Sequence, residues 1–110
     1  MNERIVSYRA FWPYYLREHA QPRTRGIHLF GTGLVLLCAL AGFVMGRWEF
    51  FVLMPIAGYG PAWIAHFFVE KNRPATFRYP LWSLLSDFRM FFMWIIGALP
   101  QELRRAGIGS

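Results

Sequence analysis

Charge is scarce in this chain, and acidic charge most of all. Six Asp and Glu stand against twelve Lys and Arg, and charged residues make up only 16% of the 110 positions. Soluble domains carry about a quarter. Cysteine is scarcer still: Cys38 is alone, so no intrachain disulfide can form, and its place inside an apolar run marks it as an inert small hydrophobe. The first residues lack the uninterrupted apolar centre of a cleavable signal, because Glu3, Arg4, Arg9, Arg17 and Glu18 break it up. No internal repeat or low-complexity tract is present.

What fills the chain instead is apolar surface, 55% hydrophobic and 19% aromatic residues. Residues 27–46 and 50–69 are free of charge, and each is long enough to cross a hydrocarbon core of about 30 Å at about 1.5 Å per residue. Only Arg47, Trp48 and Glu49 separate the two runs in a tight turn. The expectation is an all-α integral membrane protein of a single domain, built on a two-span hairpin (27–46 and 50–70). Residues 1–22 read as an amphipathic helix at the membrane surface, with Ile5, Tyr8, Phe11, Trp12, Tyr15 and Leu16 near helical spacing, a kink or restart at Pro13 and a break at Pro22. Residues 81–99 read as an interfacial helix or a third span, since Asp87 and Arg89 make full insertion costly, and 100–110 as a tail.

The net charge of +6 does not argue for nucleic acid. Apart from Arg47 and Arg89, the basic residues border the apolar runs, as expected near lipid headgroups. Eight of them (Arg4, Arg9, Arg17, Arg23, Arg25, Lys71, Arg73, Arg78) lie on the chain-end side of the hairpin, against Arg47 at the turn. That asymmetry places both flanking basic segments in the cytoplasm, in a bacterial inner membrane or the endoplasmic reticulum. Neither span carries an ionisable group at mid-depth, which argues against a transporter. Gly42 and Gly46, and Gly58 and Ala62, are spaced by four for close helix packing, and Pro61 should open the second helix locally.

His28 lies 20 residues before Trp48 and His66 lies 18 after it. Their depths along the hairpin therefore differ by about 3 Å. His19 is tied to His28 by the short "AQPRTRGI" linker, so all three histidines should meet at one level. Imidazole suits iron, zinc, copper and nickel, and Glu70, one turn beyond His66, could complete a metal site, orient a histidine or move protons. Taken singly, each histidine also reads as an interfacial anchor and Glu70 as a cap. Asp87 reads as the partner of a loop Arg or Lys, and Pro74 as the stop of the second helix.

The stretches "YLREHAQPRTRGIHLFGT" and "AGYGPAWIAHFFVEKNRPATFRYPLWSLLSDFRM" resemble the Mpo-like family over roughly residues 11–92. Its characterised members are iron(II)-dependent dioxygenases of the eukaryotic endoplasmic reticulum that shorten 2-hydroxy fatty acids by one carbon. The resemblance implies Fe²⁺ held by His19, His28 and His66, with Glu70 in a catalytic role and Pro74-Ala75 as the family's Pro-Ala. Thr24 stands where members commonly have Asn, and Ala65 where many have Gly. Arg23, Arg25, Arg73 and Arg78 are then candidates to attract the substrate carboxylate, with O₂ as second substrate and the bilayer as host. Two spans shield a site poorly, which raises self-assembly as an expectation. A haem-binding module using His28 and His66, and a non-enzymatic membrane assembly module, stand as alternatives.

Overall fold

The computed structural model describes residues 4–108 and is all-helical over them. Ser7 starts α1 (Tyr8–Arg17) by accepting the Ala10 N–H on its hydroxyl at 3.2 Å. Pro13 stays inside α1 without breaking it. Pro22 opens α2 (Pro22–Met45) at its first turn, where a missing N–H costs nothing. Gly46, with φ 65°, ends it in the left-handed conformation that glycine adopts without strain. After the short turn, α3 (Glu49–Ile64) runs back along α2 and continues as a π-helical segment, Ala65–Glu70. A 3₁₀ turn (Ala75–Phe77) leads to α4 (Pro80–Ile96), which Gly97 closes at φ 80°, and α5 (Leu99–Arg105) follows. Two helices, Pro22–Met45 and Glu49–Glu70, are long and apolar enough to cross a membrane.

The close α2–α3 approach depends on glycine at particular points. A Cβ on Gly42 would stand 2.7 Å from the Phe51 ring, and one on Gly31 would stand 3.0 Å from the Ala57 carbonyl oxygen. Gly58 meets Val35 at 3.0 Å in the same sense, whereas Gly46 faces open space and serves only as the cap. Gly31, not Gly46, is the second packing glycine of α2.

Four expectations need correction. The apolar face of α1 lies on protein: Phe11, Trp12, Tyr15 and Leu16 are buried in a cluster with Tyr79 and Met90 of the α4 region and Leu99 and Leu103 of α5. An aromatic ladder holds the contact, with Phe11 5.3 Å from Tyr79 and 5.6 Å from Trp82 between ring centres. Trp12 Nε1 donates to Glu102 Oε1 at 2.9 Å, and the Arg89 guanidinium stacks 4.1 Å over the Trp12 ring. Residues 99–105 are therefore no tail but a helix that closes the far side of α1. In α3 the irregularity falls at Ala65–Glu70, about one turn beyond Pro61. Finally, the helix stops at Lys71, which takes φ 64°, before Pro74 is reached.

Candidate metal centre

Each histidine is delivered by a different device. His19 follows the end of α1, where its N–H bonds back to the Leu16 carbonyl at 3.0 Å. The loop behind it is clamped by Arg25 of α2, whose Nη1 donates to the carbonyls of His19 at 3.0 Å and Ala20 at 2.9 Å. His28 sits two turns into α2. His66 lies in the π-helical segment, a widened form of helix often found at functional sites. The left-handed turn at Lys71 folds the chain back, so that the Asn72 N–H reaches the His66 carbonyl at 2.8 Å and its side chain reaches the imidazole.

The three imidazoles meet in the interior. Ring centres are 4.8 Å apart for His19 and His28, 4.5 Å for His19 and His66, and 6.1 Å for His28 and His66. All three residues are buried, and one nitrogen from each lies within 4.8 Å of the others. The void between them is about 10 Å³, at the lower edge of the roughly 10–15 Å³ a cavity needs to admit one water. His28 Nδ1 and Ser83 Oγ, both from residues lining that void, are buried without a hydrogen-bond partner among the described residues.

Hydrogen bonds on the far side of two rings set their tautomers. His19 Nδ1 lies 2.8 Å from the Tyr15 carbonyl oxygen, which only accepts, so Nδ1 carries the proton. His66 Nδ1 lies 2.8 Å from Asn72 Oδ1, and the Asn72 amide nitrogen is turned to the Glu18 carbonyl and carboxylate. It too is the proton-bearing nitrogen. Both Nε2 atoms then present lone pairs, and they face each other at 3.0 Å. Two lone pairs at that distance repel unless a cation sits against both. Nitrogen ligands bound at about 2.1 Å and a right angle to one metal ion would lie about 3 Å apart. Burial, then the neighbouring His28 and His66, push the His19 pKa well below its ordinary value, keeping it in the neutral form that binds metal.

The acidic residue at this centre is Asp87. Its Oδ1 accepts from the Tyr15 hydroxyl at 2.6 Å and lies 3.2 Å from His28 Nε2. A carboxylate behind an imidazole fixes its orientation and raises its basicity. The expectation that Asp87 pairs with a loop Arg or Lys is corrected by these contacts. Tyr15 stays protonated as the donor, since burial and the nearby Asp87 carboxylate raise its pKa well above the ordinary tyrosine value.

Glu70 has other work. Gln21, the residue before α2, supplies no side-chain cap, and Glu70 Oε1 fills that place. It accepts from the Gln21 N–H at 3.1 Å and the Thr24 hydroxyl at 2.7 Å, while Gln21 Nε2 donates back to the Val69 carbonyl at 3.1 Å. A carboxylate at a helix N-terminus is favoured by the helix dipole. Thus Glu70 straps the end of α3 to the start of α2 instead of joining the histidines. Of the four arginines, Arg25 is spent on the His19 loop. Arg23, Arg73 and Arg78 are exposed, and none of the four lines the void at the histidines.

The family model described as 2-hydroxy-palmitic acid dioxygenase Mpo1-like matches residues 5–99, most of the chain. The chain belongs to this family. No curated protein and no solved structure matches it. The Mpo1-like match takes in all three histidines, Asp87, Tyr15 and Asn72, and ends at Leu99, where α5 begins. The family description names a fatty acid dioxygenase, an enzyme class with which a buried histidine triad is consistent.

Proposed function

We propose that the protein is a membrane-embedded, iron(II)-dependent dioxygenase that converts a 2-hydroxy fatty acid and O₂ into the acid one carbon shorter. One observation carries the metal-site reading: two buried Nε2 lone pairs held 3.0 Å apart by Nδ1 bonds to oxygen acceptors. His19, His28 and His66 would hold the ion, and the neutral three-imidazole donor set suits iron. The bound metal supplies coordination of O₂ and of the 2-hydroxy carboxylate together, which brings the reactants into contact. The reaction balances without a further reductant. The 2-hydroxy acid and O₂ give the shortened acid, CO₂ and water; the bond between C1 and C2 breaks and O₂ takes all four electrons.

The chain's own part is positioning and exclusion of water. Tyr15 and Asp87 orient His28, Asn72 orients His66, and the Tyr15 carbonyl orients His19. Helices α1 and α4 cover the cluster within one chain, so its shielding does not require a second copy. Glu70 and Arg25 brace the loop and helix start that carry His19 and His28. The haem alternative fits this arrangement poorly, because the His19 ring packs against both proposed ligands, 4.8 Å from His28 and 4.5 Å from His66 between ring centres, and leaves no room for a macrocycle between them.

Support for membrane embedding comes from exposure. Only 33% of the apolar window of α2 and 17% of that of α3 is buried, whereas the core helix of a soluble protein is mostly covered. Phe43, Val44, Ile56 and Phe68 all face outward. Large apolar side chains exposed in such number along two helices support a surface that something apolar covers. The excess of Lys and Arg at the histidine end of the hairpin supports a reading in which that end faces the cytoplasmic headgroups.

The test is direct. Protein loaded anaerobically with Fe²⁺ is mixed with 2-hydroxypalmitate and O₂, and the C15 acid is sought by mass spectrometry. Absence of the C15 acid, with metal content unchanged in His66→Ala, would sink the proposal; a metal-free wild type would favour the assembly-module reading.

A further inference from the structure

A second, larger cavity of about 380 Å³ lies directly beside the histidines, between α2, α3 and α4. It shares His28, Tyr59 and Asp87 with the void at the cluster, and Val35, Phe51 and Met54 also line it. Its residues follow one face of each helix. His28 to Val35 spans seven positions of α2 and Tyr59 to Phe51 spans eight of α3, so the groove runs about 10–12 Å along the hairpin axis. At about 30 Å³ per water-sized unit, close to that of a methylene group, its volume takes on the order of a dozen such units. Phe51, itself 36% exposed, rests one side of its ring on Gly42, whose missing side chain leaves the room for it.

We propose that this groove holds the acyl chain of the 2-hydroxy acid, with Phe51 on its Gly42 seat setting the preferred chain length. The inference rests on the dioxygenase reading for what happens at the head group. The occupant is fixed by the two ends of the space. One end is polar and reaches a candidate metal centre; the rest is apolar and elongated, as a fatty acid is. A cavity of about 490 Å³ on another face of α2, lined by Leu29, Leu34, Phe91 and Trp94 among others, shares no residue with the histidine void. A chain lodged there has no shared wall with the centre.

Two readouts test the groove. A 2-hydroxyhexadecanoate with a diazirine at mid-chain, photolysed with the full-length protein in lipid nanodiscs and mapped residue by residue by tandem mass spectrometry, should label Val35, Phe51 or Met54. Labelling of Leu34, Phe91 and Trp94, or of the outward Val44 and Phe68, overturns the proposal. This readout needs no turnover, so it separates failure of the groove from failure of the dioxygenase reading. Among variants, Met54→Trp should lower the ratio of kcat/KM for 2-hydroxyhexadecanoate over 2-hydroxyoctanoate at least tenfold, and Phe51→Ala should raise the same ratio for longer chains. Leu34→Trp, in the other cavity, should leave the ratio within twofold. Equal losses at every chain length in Met54→Trp and Phe51→Ala would show that neither residue measures the acyl chain.

Discussion

Replacing Asp87 with asparagine keeps the shape of the side chain and removes its charge. In the native structure the carboxylate takes a 2.6 Å bond from Tyr15 and lies 3.2 Å from His28 Nε2. Hydrogen bonds to an ionised partner contribute about 1.5–3 kcal/mol and neutral ones about 1, so each contact is weakened by roughly half. Loss of an outer partner of a metal-binding histidine commonly costs 10–100-fold in metal affinity, about 1.4–2.8 kcal/mol. Asp87→Asn should therefore bind Fe²⁺ at least tenfold more weakly while staying folded, as measured by competition with a chelator and by thermal melts. Tyr15→Phe keeps the Asp87–His28 contact and should lose less affinity than Asp87→Asn. Asp87→Leu leaves the buried Tyr15 hydroxyl without its acceptor and should cost a further 1–3 kcal/mol or so in folding stability. An iron affinity for Asp87→Asn within twofold of wild type would refute the idea that this carboxylate sets His28.

The remaining expectations concern the frame around the centre. Glu70→Gln should retain iron binding and turnover but melt earlier, as should Thr24→Val, because Glu70 caps α2; collapse of turnover in a stable, iron-loaded Glu70→Gln protein would return it to a catalytic role. Gly42→Leu should destabilise by about 1–3 kcal/mol through overpacking against Phe51, and Phe51→Ala in the same chain should restore part of the loss in an unfolding titration. In metal-free protein, stability should fall as pH drops below about 6.5, since the unfolded chain takes up a proton on His19 there and the folded chain, with its lowered pKa, does not. The contribution is complete above that pH and is lost toward the lower folded pKa. Melting temperatures between pH 8 and 5 should show the slope in wild type and a shallower one in His19→Gln; equal slopes would refute it.

The hairpin and the level of the histidines were legible because they follow from counting. Two charge-free runs with a short turn leave one topology, and nearly equal distances from Trp48 put His28 and His66 at close to one depth. The roles of Glu70 and Asp87 were not legible, and for the same reason in both cases. Spacing of four marks Glu70 as a neighbour of His66 along a regular helix, but Ala65–Glu70 is π-helical and turns that carboxylate toward α2 instead. Asp87 is far from every histidine in the chain, and only the docking of α4 against α1 and α2 brings it to His28. The covered face of α1 was hidden likewise: an amphipathic stripe is the same sequence whether lipid or another helix receives it.

The backbone at His66 shows how these parts depend on one another. A left-handed residue other than glycine costs about 1–2 kcal/mol, and Lys71 adopts that conformation at φ 64°. What holds it there is Asn72, which ties the returning chain to both the carbonyl and the imidazole of His66 and to Glu18 at the end of α1. Asn72 therefore does two things with one side chain: it selects the Nδ1–H tautomer of His66 and fastens α1, with His19 at its end, against α3. The two Nε2 atoms face each other because the same amide fixes both the ring and the distance between the helices. A single outer residue joins the folding of the hairpin end to the chemistry of the three-imidazole centre.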